Sequence, residues 1–107
     1  MKQSTFTIKR RLQRQLTRPR DEPSVVVHPP VRCRDGFRVS VQASHFHYCS
    51  PRDDVGPYTA VELGFPSRRD FALMRYAETR EKPRDTVYGY VPLRTVAKVL
   101  ARHGGLK

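Results

Sequence analysis

From Phe37 to Ala43 apolar and polar residues alternate, with Phe37, Val39, Val41 and Ala43 set against Arg38, Ser40 and Gln42. A period of two is a strand with one face in a core and the other outside it. Asp35-Gly36 precedes this stretch, and Val31-Arg32-Cys33-Arg34 precedes that pair, so the three together predict a β-hairpin. The β-branched run Ser24-Val25-Val26-Val27-His28 predicts a further strand. Pro29-Pro30 stops it, because proline has no N–H for a ladder. Tyr58 to Phe65 predicts another strand, with Thr59, Val61, Leu63 and Phe65 on its core side. Thr86 to Val91 predicts the last. His45 to Tyr48 fits either an extension of its strand or the start of a loop, and Ser50 to Pro57 is loop by its Pro, Asp and Gly content.

Helical spacing occurs in three places. Ser67 with Asp70 three residues later resembles a capping box, with Asp in place of Glu. It predicts a short helix over 70–79 that carries Phe71, Met74 and Ala77 or Glu78 on one stripe and cannot pass Pro83. Pro92 fits a first helical turn. Leu93, Val96, Val99, Leu100 and His103 then form an apolar side, and Gly104-Gly105 closes the helix. Near the N-terminus, Ile8, Leu12 and Leu16 recur every fourth residue as on a helix face, while Thr5-Phe6-Thr7-Ile8 alternates as a strand would. Both readings stand for this segment, and it fits a stretch that orders on meeting a partner. Pro19 and Pro23 close it. The order strands, helix, strand, helix predicts an α+β fold. It comprises a small antiparallel sheet with two helices packed on one face (one domain over 24–107) and a basic N-terminal extension over 1–23.

Charge adds a second kind of information. The chain has 107 residues and a formal net charge of +11, of which +7 sits in residues 1–20, where seven Lys/Arg meet no acid. A concentrated positive field attracts phosphates and acidic protein surfaces alike. No run of about 18 apolar residues exists, so no membrane partner is expected. The basic start leads into Leu12-Gln13-Arg14-Gln15-Leu16, too polar for a signal core. Cys33 and Cys49 are too few for a secreted disulfide framework and are expected as reduced thiols in a cytosolic protein.

Candidate chemistry is sparse. His45, His47 and Cys49 would share a face if they lay on a strand, with Cys33 and His28 nearby, and His and Cys are zinc ligands. No paired Cys-x-x-Cys or His-x-x-x-His unit supports a site, so no metal is assigned. Cys49 and His47 lack a glycine-rich oxyanion loop, and Asp53-Asp54 reads as a solvated turn. No catalytic residue, no enzyme activity and no cofactor are expected. The informative constellation is Lys9-Arg10-Arg11-Leu12-Gln13-Arg14-Gln15, which resembles an arginine-rich peptide that folds against RNA or DNA. Arginine's fork pairs with carboxylate as readily as with phosphate. The partner-binding residues are therefore Lys9, Arg10, Arg11 and Arg14. Arg32, Arg34 and Arg38 come second, as a patch on the sheet surface away from the helices. Tyr48, Tyr58, Tyr76, Tyr88 and Tyr90 fit either stacking surfaces for single strands or packing against the sheet, packing being the commoner use.

A resemblance extends this. Asp35-Gly36-Phe37-Arg38-Val39-Ser40-Val41-Gln42-Ala43-Ser44 resembles a block of short phage and prophage proteins of unknown function. So do His47 to Arg52 with Gly56 to Ser67, and Thr86 to Pro92 with His103-Gly104-Gly105. The resemblance spans 28–105 and leaves the basic segment outside. It implies a viral or prophage origin, a bacterial cytoplasm and, by analogy, an accessory protein that binds and inhibits a host defence or nucleic-acid-handling complex, as anti-CRISPR proteins do. The partner would be an acidic surface of a host protein or ribonucleoprotein complex. The alternative is a small regulator that binds DNA or RNA directly through its basic N-terminus.

Overall fold

The structure, a computed structural model, describes residues 3–18 and 27–107. The hairpin forms where the alternation places it. Strand β1 (Val31–Arg32) pairs antiparallel with β2 (Arg38–Gln42), Val31 opposite Val39 and Arg32 opposite Arg38. The turn between them needs φ = 95° at Gly36, open to glycine without steric cost, and Asp35 accepts the Phe37 N–H at 2.9 Å. Strand β3 (Ala60–Gly64) pairs with β2, and β4 (Val87–Pro92) pairs with β3, giving an antiparallel meander in the order β1-β2-β3-β4.

The two helices lie along one face of this sheet. Helix α1 (Thr5–Leu16) puts Ile8, Leu12 and Leu16 into the core, and α2 (Leu93–Arg102) adds Leu93, Val96, Ala97, Val99 and Leu100. From the sheet come Phe37, Val39, Val41, Val61, Leu63, Tyr88 and Val91. The fold is α+β, and its shortest dimension, 19 Å, is that of two stacked layers. The helical reading of the N-terminal pattern is the one realised. The 5–16 part of the basic segment shares its core with the sheet, because its apolar stripe needs a surface to cover it. No described helix is long and apolar enough to cross a membrane.

Several expectations change. The segment 70–79 is not an α-helix. It is turn and a single 3-10 turn at Met74–Tyr76, after which Ala77 bridges to Tyr88 and the Glu78 N–H donates to Val87 O at 3.0 Å. The open edge of β4 offers ladder partners, and the chain takes those instead of a second helical turn. In β3, Val61 and Leu63 face the core, but Thr59 and Phe65 are exposed. Phe65 has φ = 51°, which ends the strand and turns its ring outward, and Tyr58 is the buried residue instead. Of the predicted 24–28 strand, Ser24 to Val26 lie outside the described residues, and Val27 and His28 form no strand. The His28 backbone pairs instead with the Gln42 side chain, whose Oε1 accepts the His28 N–H at 2.9 Å while Nε2 donates to His28 O at 2.7 Å. Gln42 is therefore buried although it lies on the outward face of β2.

Candidate functional site

Helix α1 is built to hold charge in place. The Ser4 hydroxyl caps it by accepting the Thr7 N–H at 3.0 Å. Gln13 pins it from the middle, its amide exchanging hydrogen bonds with the backbone N–H and C=O of Tyr58. With Ile8, Leu12 and Leu16 locked inward, the 3.6-residue period turns Lys9, Arg10, Arg11 and Arg14 outward, and all four are exposed. None of the four forms an ion pair among the described residues, whereas Arg68, Arg102, His45 and His103 do. The Arg10 guanidinium sits 5.7 Å from the centre of the exposed Phe6 ring.

The fold divides these cations between grooves. Phe6, Lys9, Arg10, Gln13 and Arg14 line one flank of α1. Lys9 also shares a hollow with Arg94 of α2. On the opposite flank Arg11 and Arg32 meet Lys107 beside Pro29 and Pro30. Lys107 reaches that place because its N–H donates to Arg32 O at 2.9 Å, next to the bridge between Cys33 and Leu106. Arg94 was legible from the outward side of the α2 pattern; Lys107 carried no local signal, since its position depends on a chain-end contact.

The second set of predicted residues does not form one patch. Arg32 and Arg38 are cross-strand partners, so they share the outer face, but Arg34 sits in the turn and packs at Gly104 beyond α2. Arg38 instead shares a hollow with Arg84, Phe65 and Asp85. The tyrosines divide sharply. Tyr58 and Tyr88 are fully buried, and their hydroxyls donate to Asp53 O at 2.8 Å and Pro83 O at 2.6 Å. Tyr48, Tyr76 and Tyr90 surround a hollow with Glu78, Val87 and Gly89 on the sheet surface away from the helices.

The histidines and cysteines separate. Residues 43–49 turn rather than continue β2, so the alternation of His45, His47 and Cys49 does not become one face. His45 pairs with Asp54 at 2.8 Å, and His47 Nδ1 meets Ser44 Oγ at 2.7 Å. The Cys49 thiol is buried and donates to Ser44 O at 3.2 Å; burial raises its pKa, which disfavours the thiolate. Cys33 is likewise buried, and burial with the nearby Asp35 carboxylate pushes its pKa up to about 11. Both thiols are unpaired. Among the described residues no three His, Cys, Asp or Glu gather at metal-ligand spacing.

A separate cluster holds the end of α2. His103 Nδ1 lies 2.6 Å from Asp35 Oδ2 and Nε2 lies 3.0 Å from Asp70 Oδ2, while its ring stacks on Phe37 at 4.0 Å. Arg68 reaches Asp35 at 2.7 Å and Arg102 reaches Asp70 at 3.3 Å. This network ties the hairpin turn and the 70s segment to the helix end. The described interior also leaves no buried polar side-chain atom without a partner, so the unsatisfied chemistry lies on the surface. No family model, curated protein or solved structure matches the chain, and the functional reading rests on the chemistry of these surfaces.

Proposed function

We propose that this protein binds nucleic acid through the outer face of α1 and catalyses no reaction. The observation that carries this is the two-sidedness of that helix. Its inner stripe is anchored in the core, so Lys9, Arg10, Arg11 and Arg14 stand on a preformed rod rather than a floppy tail. At 1.5 Å rise per residue, these cations occupy about 8 Å of helix axis. No acid lies within residues 3–18 to neutralise them. A phosphate backbone offers charge at comparable density and releases counterions when it is neutralised. Because the helix is already ordered, binding forgoes most of the ordering cost of an unstructured basic peptide.

The test is fluorescence anisotropy with a labelled duplex across a salt series. Affinity should fall steeply with salt. The triple variant Lys9→Ala, Arg10→Ala, Arg14→Ala should flatten the logarithmic slope by roughly 2 to 3. No binding at low salt, or a slope unchanged in the variant, would refute the reading.

A second reading follows from the resemblance to short phage proteins, whose residues fall on the sheet and α2. In it the protein works in a bacterial cytoplasm and occludes a host defence or nucleic-acid-handling complex, with α1 gripping the acidic protein or nucleic acid of that complex. Pull-down from nuclease-treated bacterial lysate tests it, and recovery of no stoichiometric protein partner counts against it.

A further inference from the structure

We infer that the open face of the sheet, around Tyr48 and Tyr90, is a stacking site for unpaired nucleotide bases. This rests on the nucleic-acid reading above and specifies which form of nucleic acid the protein prefers.

The site is assembled by a β-bulge. Opposite Val61 stands Val91 and opposite Leu63 stands Tyr88, so β4 spends one more residue than β3 over the same span. Tyr88 and Val91 both turn inward, and Tyr90 is left outside with φ = 53°. A tyrosine in the left-handed region is uncommon and costs energy, and such positions concentrate at functional sites. Here it aims the ring outward, 48% exposed.

Tyr48 is brought to the same spot by separate bonds. Its N–H donates to the Glu62 carboxylate at 3.1 Å, and its C=O accepts the Tyr90 N–H at 2.9 Å. Its side chain lies over Gly89, where a Cβ would come within 3.2 Å of the Tyr48 Cβ. Any side chain at 89 would therefore crowd it. The two rings sit 5.9 Å apart at a 38° tilt, and Tyr48 is 43% exposed. Among the described residues the Tyr48, Tyr76 and Tyr90 hydroxyls have no hydrogen-bond partner, unlike those of buried Tyr58 and Tyr88.

The charges around these rings select the ligand. Arg52 lies over the Tyr48 ring, 5.4 Å from its centre, and Arg75 lies over the Tyr76 ring at 5.6 Å. An arginine over one face of a ring can pair with phosphate while a base stacks on a face it leaves open. Glu78 lies in the hollow itself, where a carboxylate repels phosphate but accepts a base amino group. Bases thus enter the hollow and the backbone stays beside the arginines. Across the face, Ser40, Gly64 and Val87 form a low saddle, beyond which Phe65 stands beside Arg38 and Arg84 as a second aromatic–arginine position. Paired bases present only their edges, so a duplex cannot use these rings.

The experiment compares an unstructured oligonucleotide, as DNA and as RNA, with a hairpin duplex of equal length. Wild-type protein should bind one of the single strands more tightly than the duplex and lose tyrosine fluorescence as it does. The variant Tyr48→Ala, Tyr90→Gly should bind that strand about 10- to 100-fold more weakly, with duplex affinity unchanged. Gly89→Val, which keeps both tyrosines but displaces Tyr48, should also weaken strand binding, with thermal melts showing that each variant is folded. Lys9→Ala, Arg10→Ala, Arg14→Ala should weaken both ligands together. Duplex binding with no strand preference, or strand affinity unchanged in the tyrosine variant, overturns the stacking site and leaves the α1 reading standing. Binding of neither ligand at low salt overturns both.

Discussion

At Tyr90 the backbone takes a conformation its side chain disfavours, by about 1 kcal/mol or more. That cost makes a prediction at the scale of one residue. Tyr90→Gly should change stability by less than about 1 kcal/mol, because relief of the left-handed backbone offsets the lost contact of a half-exposed ring. Val91→Ala, one residue on and fully buried, should cost about 2 kcal/mol. Urea titrations of the two variants check the contrast, and equal losses would mean that Tyr90 is a packing residue. The same residues show what alternation conveys and where it stops. Val39, Val41, Val61 and Leu63 fall where a period of two puts them. Phe65 and Tyr90 do not, because a positive φ and a bulge each interrupt the period; of the two only the bulge has a local signal, the isolated Gly89 inside its strand. The split of the five tyrosines was equally closed to inspection: the two buried hydroxyls find carbonyls only five residues back, at Asp53 and Pro83, but which rings are covered depends on how the sheet and helices pack.

Among the elements, α1 carries two tasks that its sequence separates by angle. Leu12, at its centre, is fully buried between Ile8 and Leu16. Leu12→Ala should destabilise the whole fold by about 2 to 5 kcal/mol. Far-UV dichroism should show one cooperative transition, since the helix shares its core with α2 and the sheet. Two transitions, or loss of α1 signal alone, would show that α1 is an appendage. The segment after Ser67 shows the limit of such patterns. Its apolar spacing suits a helix, but Leu73 is its one fully buried large residue, and the β4 edge competes for its backbone. A marginal helix loses that competition because ladder bonds satisfy the same N–H groups while packing Ala77 against the sheet. Strand β1 also leans on tertiary context. Only two residues long, it is completed by the chain end, through the Cys33–Leu106 bridge and the Lys107 N–H.

Over the whole molecule, acid should unfold the protein in two stages. Burial, reinforced by Arg18, lowers the His28 pKa from its ordinary value of 6.5, and Arg18 lies 3.3 Å from the imidazole. A base whose folded pKa is lowered costs the fold nothing above its unfolded value and destabilises progressively as pH drops below it. Asp35 and Asp54 are held below their ordinary value of 3.8. Asp35 is stabilised by the Phe37 N–H, His103 and Arg68, which together outweigh its desolvation, and Asp54 by the His45 N–H and ring. Their contribution is full above that value and is lost as pH falls through their depressed pKa values. Urea midpoints should therefore decline between about pH 7 and pH 5, and again toward about pH 3. His28→Gln should remove most of the first decline; an unchanged first decline would assign it elsewhere. The two-layer build also places the basic helix and the tyrosine hollow on opposite sides of the molecule. A nucleic acid that uses both has to pass an edge, and the groove shared by Arg11, Arg32 and Lys107 gives one edge a positive lining.

What the sequence by itself determined was local: the Asp-Gly hairpin, the faces of β2, helix α2 with its glycine end, the α+β class, and the basic character of residues 9–14. Each follows from short-range sterics and from the need of an apolar stripe for cover. The tertiary structure alone decided that α1 closes the core, that Arg34 leaves the arginine patch, that the histidines and cysteines separate, and that Tyr48 meets Tyr90 over Gly89. Those outcomes depend on contacts between residues far apart in the chain, where packing and backbone hydrogen bonding outweigh any preference that a short window of sequence expresses.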